Sequence, residues 1–188
     1  MTTLSQACSR WGFSILVLLA LAGCRPTDTQ GSLPTDGPIN TVETVGTFDP
    51  VESCASWGKR QNAFGARTLT NSGTSGVRIQ NIELVNAHNV SLYDSVLVPG
   101  EVPPGRTLID EWPINPADYL APAYQWDKRI PAIGAEIAAN QTYELVLRIG
   151  TTRSGRGSFD GVTTTYTYDG DTYQYTDSRS AKLGQKSC

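Results

Sequence analysis

The chain is short of the residues that most enzymes rely on. Among its 188 residues there is one histidine, His88, and one methionine, Met1. A His/Cys metal cluster has too few ligands to form, and so has a Met/His copper carrier. His88 lies in Asn86-Ala87-His88-Asn89, a turn composition between two apolar runs, which gives it a surface-loop role rather than that of a catalytic base. There is no Gly-x-Ser-x-Gly elbow, so nothing points to an α/β-hydrolase. Lysine is scarce, 4 against 11 arginines, and no basic stripe of the size nucleic acid requires is present. No resident metal and no cofactor are expected. No apolar run reaches the roughly 20 residues of a permanent membrane helix. The longest, Ile15-Leu16-Val17-Leu18-Leu19-Ala20-Leu21, has the length of a secretory signal core.

What the chain has, it has at that run's end. Leu21-Ala22-Gly23-Cys24 closes the apolar stretch and opens a polar, proline-containing segment. The pattern resembles the lipobox of bacterial lipoproteins. The resemblance covers residues 1–24 and implies that diacylglycerol is attached to the Cys24 sulfur, that residues 1–23 are removed as a signal peptide, and that the new amino group is acylated. One acyl chain binds a membrane marginally, whereas two or more hold it stably. The partner so implied is a membrane, reached through the lipid on Cys24. The expected location is the bacterial cell membrane or outer membrane, facing the periplasm or the exterior. Arg25 stands where an aspartate would favour inner-membrane retention. Losing Arg10 with the signal takes the formal net charge from −3 to −4.

Four cysteines are present. Cys8 leaves with the signal and Cys24 carries the lipid. Cys54 and Cys188 remain in an oxidising compartment, and a disulfide between them is the simplest account. It would join the start of the folded domain to its last residue.

Residues 24–50 are rich in Thr, Pro, Gly and Asp, and poor in apolar side chains. Such a segment cannot offset its ordering entropy by burial, and reads as a disordered tether after the lipid-anchor cysteine. The folded domain is expected over residues 51–188. There, β-branched and aromatic runs alternate with turn signals. Val77 and Ile79 alternate with polar neighbours, and Ile82 and Leu84 continue the series one residue out of phase, which predicts a bulge near Gln80-Asn81. Tyr143 to Ile149 alternates cleanly and reads as a half-buried strand, with Glu144 and Arg148 facing away from the core. Asp169-Gly170 between Val162–Tyr168 and Asp171–Tyr175 is a two-residue hairpin signal, because a type I′ turn needs positive φ at both central positions. It sets Tyr166, Tyr168, Tyr173 and Tyr175 as cross-strand aromatics.

About seven short strands separated by turns predict an all-β fold, an antiparallel β-sandwich preceded by a cleaved signal helix and a flexible linker. The order of strands and turns resembles immunoglobulin-like domains of uncharacterised bacterial secreted proteins. Two surface features carry functional expectations. Trp112, Tyr119, Tyr124 and Trp126 crowd a proline-broken stretch and are candidates for stacking on a sugar or anchoring a protein. Asp110, Glu111, Asp118, Asp127 and Glu136 lie nearby, where two convergent acids would suit glycoside hydrolysis. The favoured expectation is a non-enzymatic envelope interaction or structural module. A carbohydrate-binding or glycan-acting module and an accessory subunit or chaperone of an exported complex are the alternatives. An envelope protein or a glycan is thus the expected partner beside the membrane, and nucleic acid is not.

Overall fold

The structure, a computed structural model, describes residues 32–40, 53–56, 61–100, 109–114 and 125–185. The expected signal peptide, the expected lipid site Cys24 and Cys188 lie outside the described residues, as do Tyr119 and Tyr124. The strands are β1 (Ile39–Asn40), β2 (Ser53–Ser56), β3 (Asn62–Asn71), β4 (Val77–Val85), β5 (Val90–Pro99), β6 (Ile109–Glu111), β7 (Ile130–Pro131), β8 (Glu136–Ile137), β9 (Thr142–Thr151), β10 (Gly157–Phe159), β11 (Gly161–Tyr168), β12 (Asp171–Asp177) and β13 (Ala181–Gln185).

They form three sheets. The largest runs β1-β3-β9-β5-β7, with β6 also on β3; the second runs β12-β11-β4-β8; the third runs β10-β13-β2. All pairings are antiparallel except β13 with β2. The three sheets enclose one apolar core. Phe64, Leu97, Leu145, Leu147 and Ile149 enter it from the first sheet. Val77, Ile79, Val162 and Tyr166 enter from the second, and Phe159 and Leu183 from the third. Phe64 and Phe159 meet edge to face at 5.1 Å, a geometry that sets ring edges against ring faces. The described residues form an all-β, largely antiparallel β-sandwich. It has more and shorter strands than the seven expected, because β1, β6, β7 and β8 are two- or three-residue pieces at the margins of the long strands.

The hairpin forms as its turn residues require. Asp169 has φ 50° and Gly170 φ 92°. Tyr166 lies directly opposite Tyr173, and the two rings stack at 5.8 Å. The bulge is also present: Thr165 faces Asn81 while the next residue, Tyr166, faces Ile79. Gln80 is the extra residue, and it resets the inward parity from Ile79 to Ile82. A similar irregularity at Leu92/Asp94 reverses the parity of β5. Val90 therefore joins the main core while Val96 and Val98 face the other way.

Two short straps close the open sides of the sandwich. Residues 130–137 pass from β5 to β4: Ala132 N–H donates to Ser95 O at 2.9 Å, and Gly134 N–H donates to Ile79 O at 2.9 Å. On the opposite side, residues 34–40 pass from β12 to β3. Gln174 N–H donates to Pro34 O at 2.9 Å and Ser72 N–H to Pro38 O at 3.0 Å, after which Ile39 pairs opposite Asn71. This second strap corrects the expected tether. Residues 32–40 belong to the folded unit, which begins at Ser32, because Ile39 is only 4% exposed and enters the main core. One isoleucine and a glycine that admits close approach hold a segment whose composition reads as linker. A Cβ on Gly37 would sit 2.3 Å from the Tyr166 hydroxyl.

Asn71 fixes the end where strap and turns meet. It is fully buried. Its Nδ2 donates to Ser75 O and Ile137 O, both at 2.8 Å, and its Oδ1 accepts from Gly73 N–H at 2.9 Å.

Two outcomes are expected. Gly161→Ala places a methyl 2.4 Å from Asp177 O, and backbone cannot step aside as a side chain can. It should cost about 1–3 kcal/mol, seen as a lower urea midpoint at unchanged slope. Tyr166 concerns pH. Burial pushes its hydroxyl above the ordinary 10.0, with the Ile39 backbone partly offsetting this and Tyr173 and Asp36 adding to it. The unfolded residue ionises at the ordinary value and the folded one only above it. Its contribution to stability is therefore whole below about pH 10 and is lost as pH rises through the higher folded value. Thermal melts at pH 8 and pH 11 should show a smaller alkaline drop for Tyr166→Phe than for the parent.

Candidate functional site

The aromatic stretch lies on the far side of the six-stranded sheet. Strand β9 was expected to be half-buried, but both of its faces are covered. Leu145, Leu147 and Ile149 point into the main core, whereas Val146 points outward and is fully buried. Ala63 of β3 and Val96 and Val98 of β5 share that outward face. Ile114 and Trp126 cover them, with Trp112 packed at the margin. The indoles meet edge to face at 5.7 Å. Trp126 begins a single 3-10 turn, Trp126–Lys128, and is 5% exposed.

Each indole also has a cation beside it. The Arg129 guanidinium lies 4.6 Å from the centre of the Trp126 ring and Nη1 donates to the Trp126 carbonyl at 3.0 Å. The Arg148 guanidinium lies 5.7 Å from the Trp112 ring, while its Nε donates to Gln61 Oε1 at 2.8 Å. Such stacking is favourable and partly desolvates the arginine. Arg148 and Glu144 do face away from the main core, as their alternation requires. They do not face water: Glu144 is 3% exposed and Arg148 half-buried. Together these residues make a second, smaller core. The Trp126 ring is enclosed and offers a sugar no open face. The packing of Trp112 and Trp126 is that of a plug on a sheet.

Of the candidate acids, Asp127 and Glu136 have described side chains, and these two do not converge. Asp127 and Glu136 are both exposed, but Asp127 sits on the 3-10 turn over the second core and Glu136 on β8 at the edge of the other sheet. Asp110 and Glu111 belong to β6, and Asp118 lies outside the described residues. His88 is exposed, and its backbone pairs with Ser158. Asp169 is committed to the hairpin turn and accepts from the Ser75 hydroxyl. Among the described residues no group of three or more His, Cys, Asp or Glu is placed to hold a metal ion.

Sequence reasoning passed over one site-forming residue. Asn89, with φ 51°, clamps the loop after β9. Its Nδ2 donates to Arg156 O at 2.9 Å and its Oδ1 accepts from Arg153 N–H at 2.9 Å. The Thr152 hydroxyl adds a bond to the same Oδ1 at 2.8 Å, and Thr152 N–H donates to Asn89 O at 3.2 Å. The clamp holds exposed Arg153 and Arg156 on one short, ordered loop. The signal available was the asparagine itself, a residue that tolerates left-handed backbone and bonds loop amides.

Trp126→Ala should remove the centre of the second core and cost about 3–5 kcal/mol. Denaturant melts should show that loss, and near-UV circular dichroism should lose the coupled-indole signal in Trp126→Ala and Trp112→Ala alike. A Trp126→Ala protein of unchanged stability would contradict the plug.

No protein-family model matches the chain, and no curated protein matches it in sequence. Among solved structures it is similar to the ASH / PapD-like domain of human CEP192 (PapD-like domain 7), with 9% identity, 79% of this chain and 96% of that chain covered, and a TM-score of 0.31. A likeness of that size carries no functional argument.

Proposed function

We propose that the chain is a lipid-anchored, exported module of the bacterial cell envelope, acting as an interaction or structural protein and not as an enzyme. The observation that carries this reading is Leu21-Ala22-Gly23-Cys24 at the end of a signal-length apolar run. The fold is compatible with it. The folded unit begins at Ser32, downstream of the proposed lipid site. No helix among the described residues is long and apolar enough to cross a membrane; on this reading the attachment is through acyl groups on Cys24. Among the described residues the exposed acids Asp127 and Glu136 lie apart, and Trp112 and Trp126 are occupied in packing. No observation favours a glycan-acting site. Strand addition from an exported partner finds the edges of β5 and β12 partly covered by the two straps, with Pro34 and Pro131 at the contacts. Proline at a sheet edge discourages further pairing.

The reading includes a disulfide between Cys54 and Cys188. Cys54 lies opposite Lys182 on the adjacent strand β13, and only Lys186 and Ser187 separate Gln185 from Cys188. Because β2 and β13 are parallel, a return of roughly 10 Å is needed, which three residues can span. A bridge over so long a loop constrains the unfolded chain, by about 4–5 kcal/mol in the chain-entropy model.

Three measurements test these statements. Palmitate labelling should tag the wild type and leave Cys24→Ala unlabelled, and Cys24→Ala should leave the membrane fraction. Unlabelled wild type with an intact signal would overturn the anchor. Intact mass of unreduced, alkylated protein should show Cys54 and Cys188 protected; two alkylated thiols would overturn the bridge.

A further inference from the structure

Among the described residues the exposed large apolar side chains are Tyr93, Ile130 and Ile133. All three lie along one edge of the sandwich, where the strap of residues 130–137 crosses from β5 to β4. The pairing places them. Ile130 lies opposite Leu97 and Pro131 opposite Val96. Ala132 N–H donates to Ser95 O at 2.9 Å, so the next residue, Ile133, reaches the level of Asp94. Tyr93 is the extra residue of the β5 irregularity, between Leu92 opposite Ile149 and Asp94 opposite Arg148. Pro131, between the two isoleucines, is exposed as well. Single apolar side chains scattered on a surface need no explanation, whereas several gathered on one edge mark a contact. The other strap shows the alternative, because its isoleucine, Ile39, is buried. This strap buries Ala132 and Ile137 and leaves Ile130 and Ile133 outside.

The strap is held in place. Gly134 N–H donates to Ile79 O at 2.9 Å, Ile79 N–H to Ala135 O at 3.0 Å, and Ala135 N–H to Ala132 O at 3.1 Å. The turn that carries Ile133 is thus set before any partner arrives, and little freedom is lost on contact. The charges along the edge are sorted by sign. Before Ile130 come Asp127, Lys128 and Arg129, all exposed, two cations against one acid. Toward and beyond Ile133 lie exposed Asp94 and Glu136, with Arg78 opposite Glu136, two acids against one cation. Lys128 precedes Ile130 by two residues, and Asp94 precedes Leu97, the partner of Ile130, by three. The strands are antiparallel, so Lys128 and Asp94 of one copy sit at opposite ends of the edge, roughly 15 Å apart.

We propose that this edge is the contact surface between two copies of the chain, related by a two-fold axis that passes near Pro131. Rotation about that axis brings the Lys128-Arg129 end of each copy against the Asp94-Glu136 end of the other. It sets Tyr93, Ile130 and Ile133 of both copies in the middle. An apolar centre with unlike charges at its two ends is complementary to itself, which is what a two-fold contact requires. The contact is made by side chains: Pro131 has no N–H to offer, so the copies do not zip strand to strand. Three large apolar side chains from each copy are fewer than a permanent dimer uses, so the association is weak and reversible. The surface belongs to the folded unit alone. It goes beyond the envelope-module reading in naming a partner, and it stands whether or not Cys24 carries lipid.

The test follows the full-length protein by sedimentation equilibrium in density-matched detergent, from about 1 µM to about 1 mM. The protein mass should rise from one protomer to two. Ile133→Asp should weaken association about tenfold or more, with the urea midpoint unchanged because the side chain is exposed. Lys128→Glu and Asp94→Lys should each weaken it several-fold, and the variant carrying both should recover the parent's affinity. Carbodiimide should join Lys128 to Asp94 in the dimer, a zero-length link that one copy is too extended to make within itself. A single protomer at every concentration overturns the proposal and leaves the edge to a bilayer or to another protein. A two-protomer mass that Ile133→Asp leaves unchanged, or growth past two protomers, overturns the two-fold contact on this edge. Neither result bears on the Cys24 anchor, which palmitate labelling decides.

Discussion

Strand β9 is dry on both faces, and the rest of the domain is arranged to keep it so. An isolated antiparallel sheet can leave one face in water. This one cannot, because Val146 and Glu144 alternate with Leu145 and Leu147, and all four are buried. The inward face is covered by the second and third sheets. The outward face is covered by a short irregular run whose rings do what a third layer would do. From that requirement follow the crowded tryptophans, the proline-broken chain around them and the two arginines laid beside the indoles. The arginines suit the place because a guanidinium keeps its charge while its plane stacks on a ring.

Edges are the second constraint. A sandwich of open sheets exposes unpaired strand edges that invite association. Here two short segments, residues 34–40 and 130–137, each bridge one sheet to the other. Each pairs with a strand for only two residues, so neither creates a new long edge of its own. The straps add β1, β7 and β8 to the strand count without lengthening any sheet edge.

Much of this architecture was legible in the sequence. The hairpin was, because Asp169-Gly170 needs a backbone that few other pairs accept. The Gln80 bulge was, because it shifts Ile79 and Ile82 out of phase. The double burial of β9 was not: Glu144 and Arg148 report polarity, and polarity alone does not say whether Trp112 and Trp126 lie above it. Likewise Val90, Leu92, Val96 and Val98 share one parity on paper, and the irregularity at Tyr93 turns the last two to the opposite face. The tether boundary failed for a related reason. Composition averages over Thr35, Asp36, Gly37 and Pro38, whereas a single buried side chain, Ile39, decides that the segment is part of the fold. The same averaging hid the Asn89 clamp, whose effect depends on the one backbone conformation that aims its amide at the loop.

The strap also dictates an order of events. Pro34 belongs to the first part of the folded unit to emerge during synthesis, yet its partner Gln174 is among the last. Until β12 exists, Ile39 has only part of its pocket and one side of the sandwich stands open. Closure thus joins the two extremes of the domain at the end of folding, a contact of very high sequence separation and correspondingly slow formation. Throughout that interval, the segment beside the proposed membrane attachment is still free to be handled by whatever processes the chain.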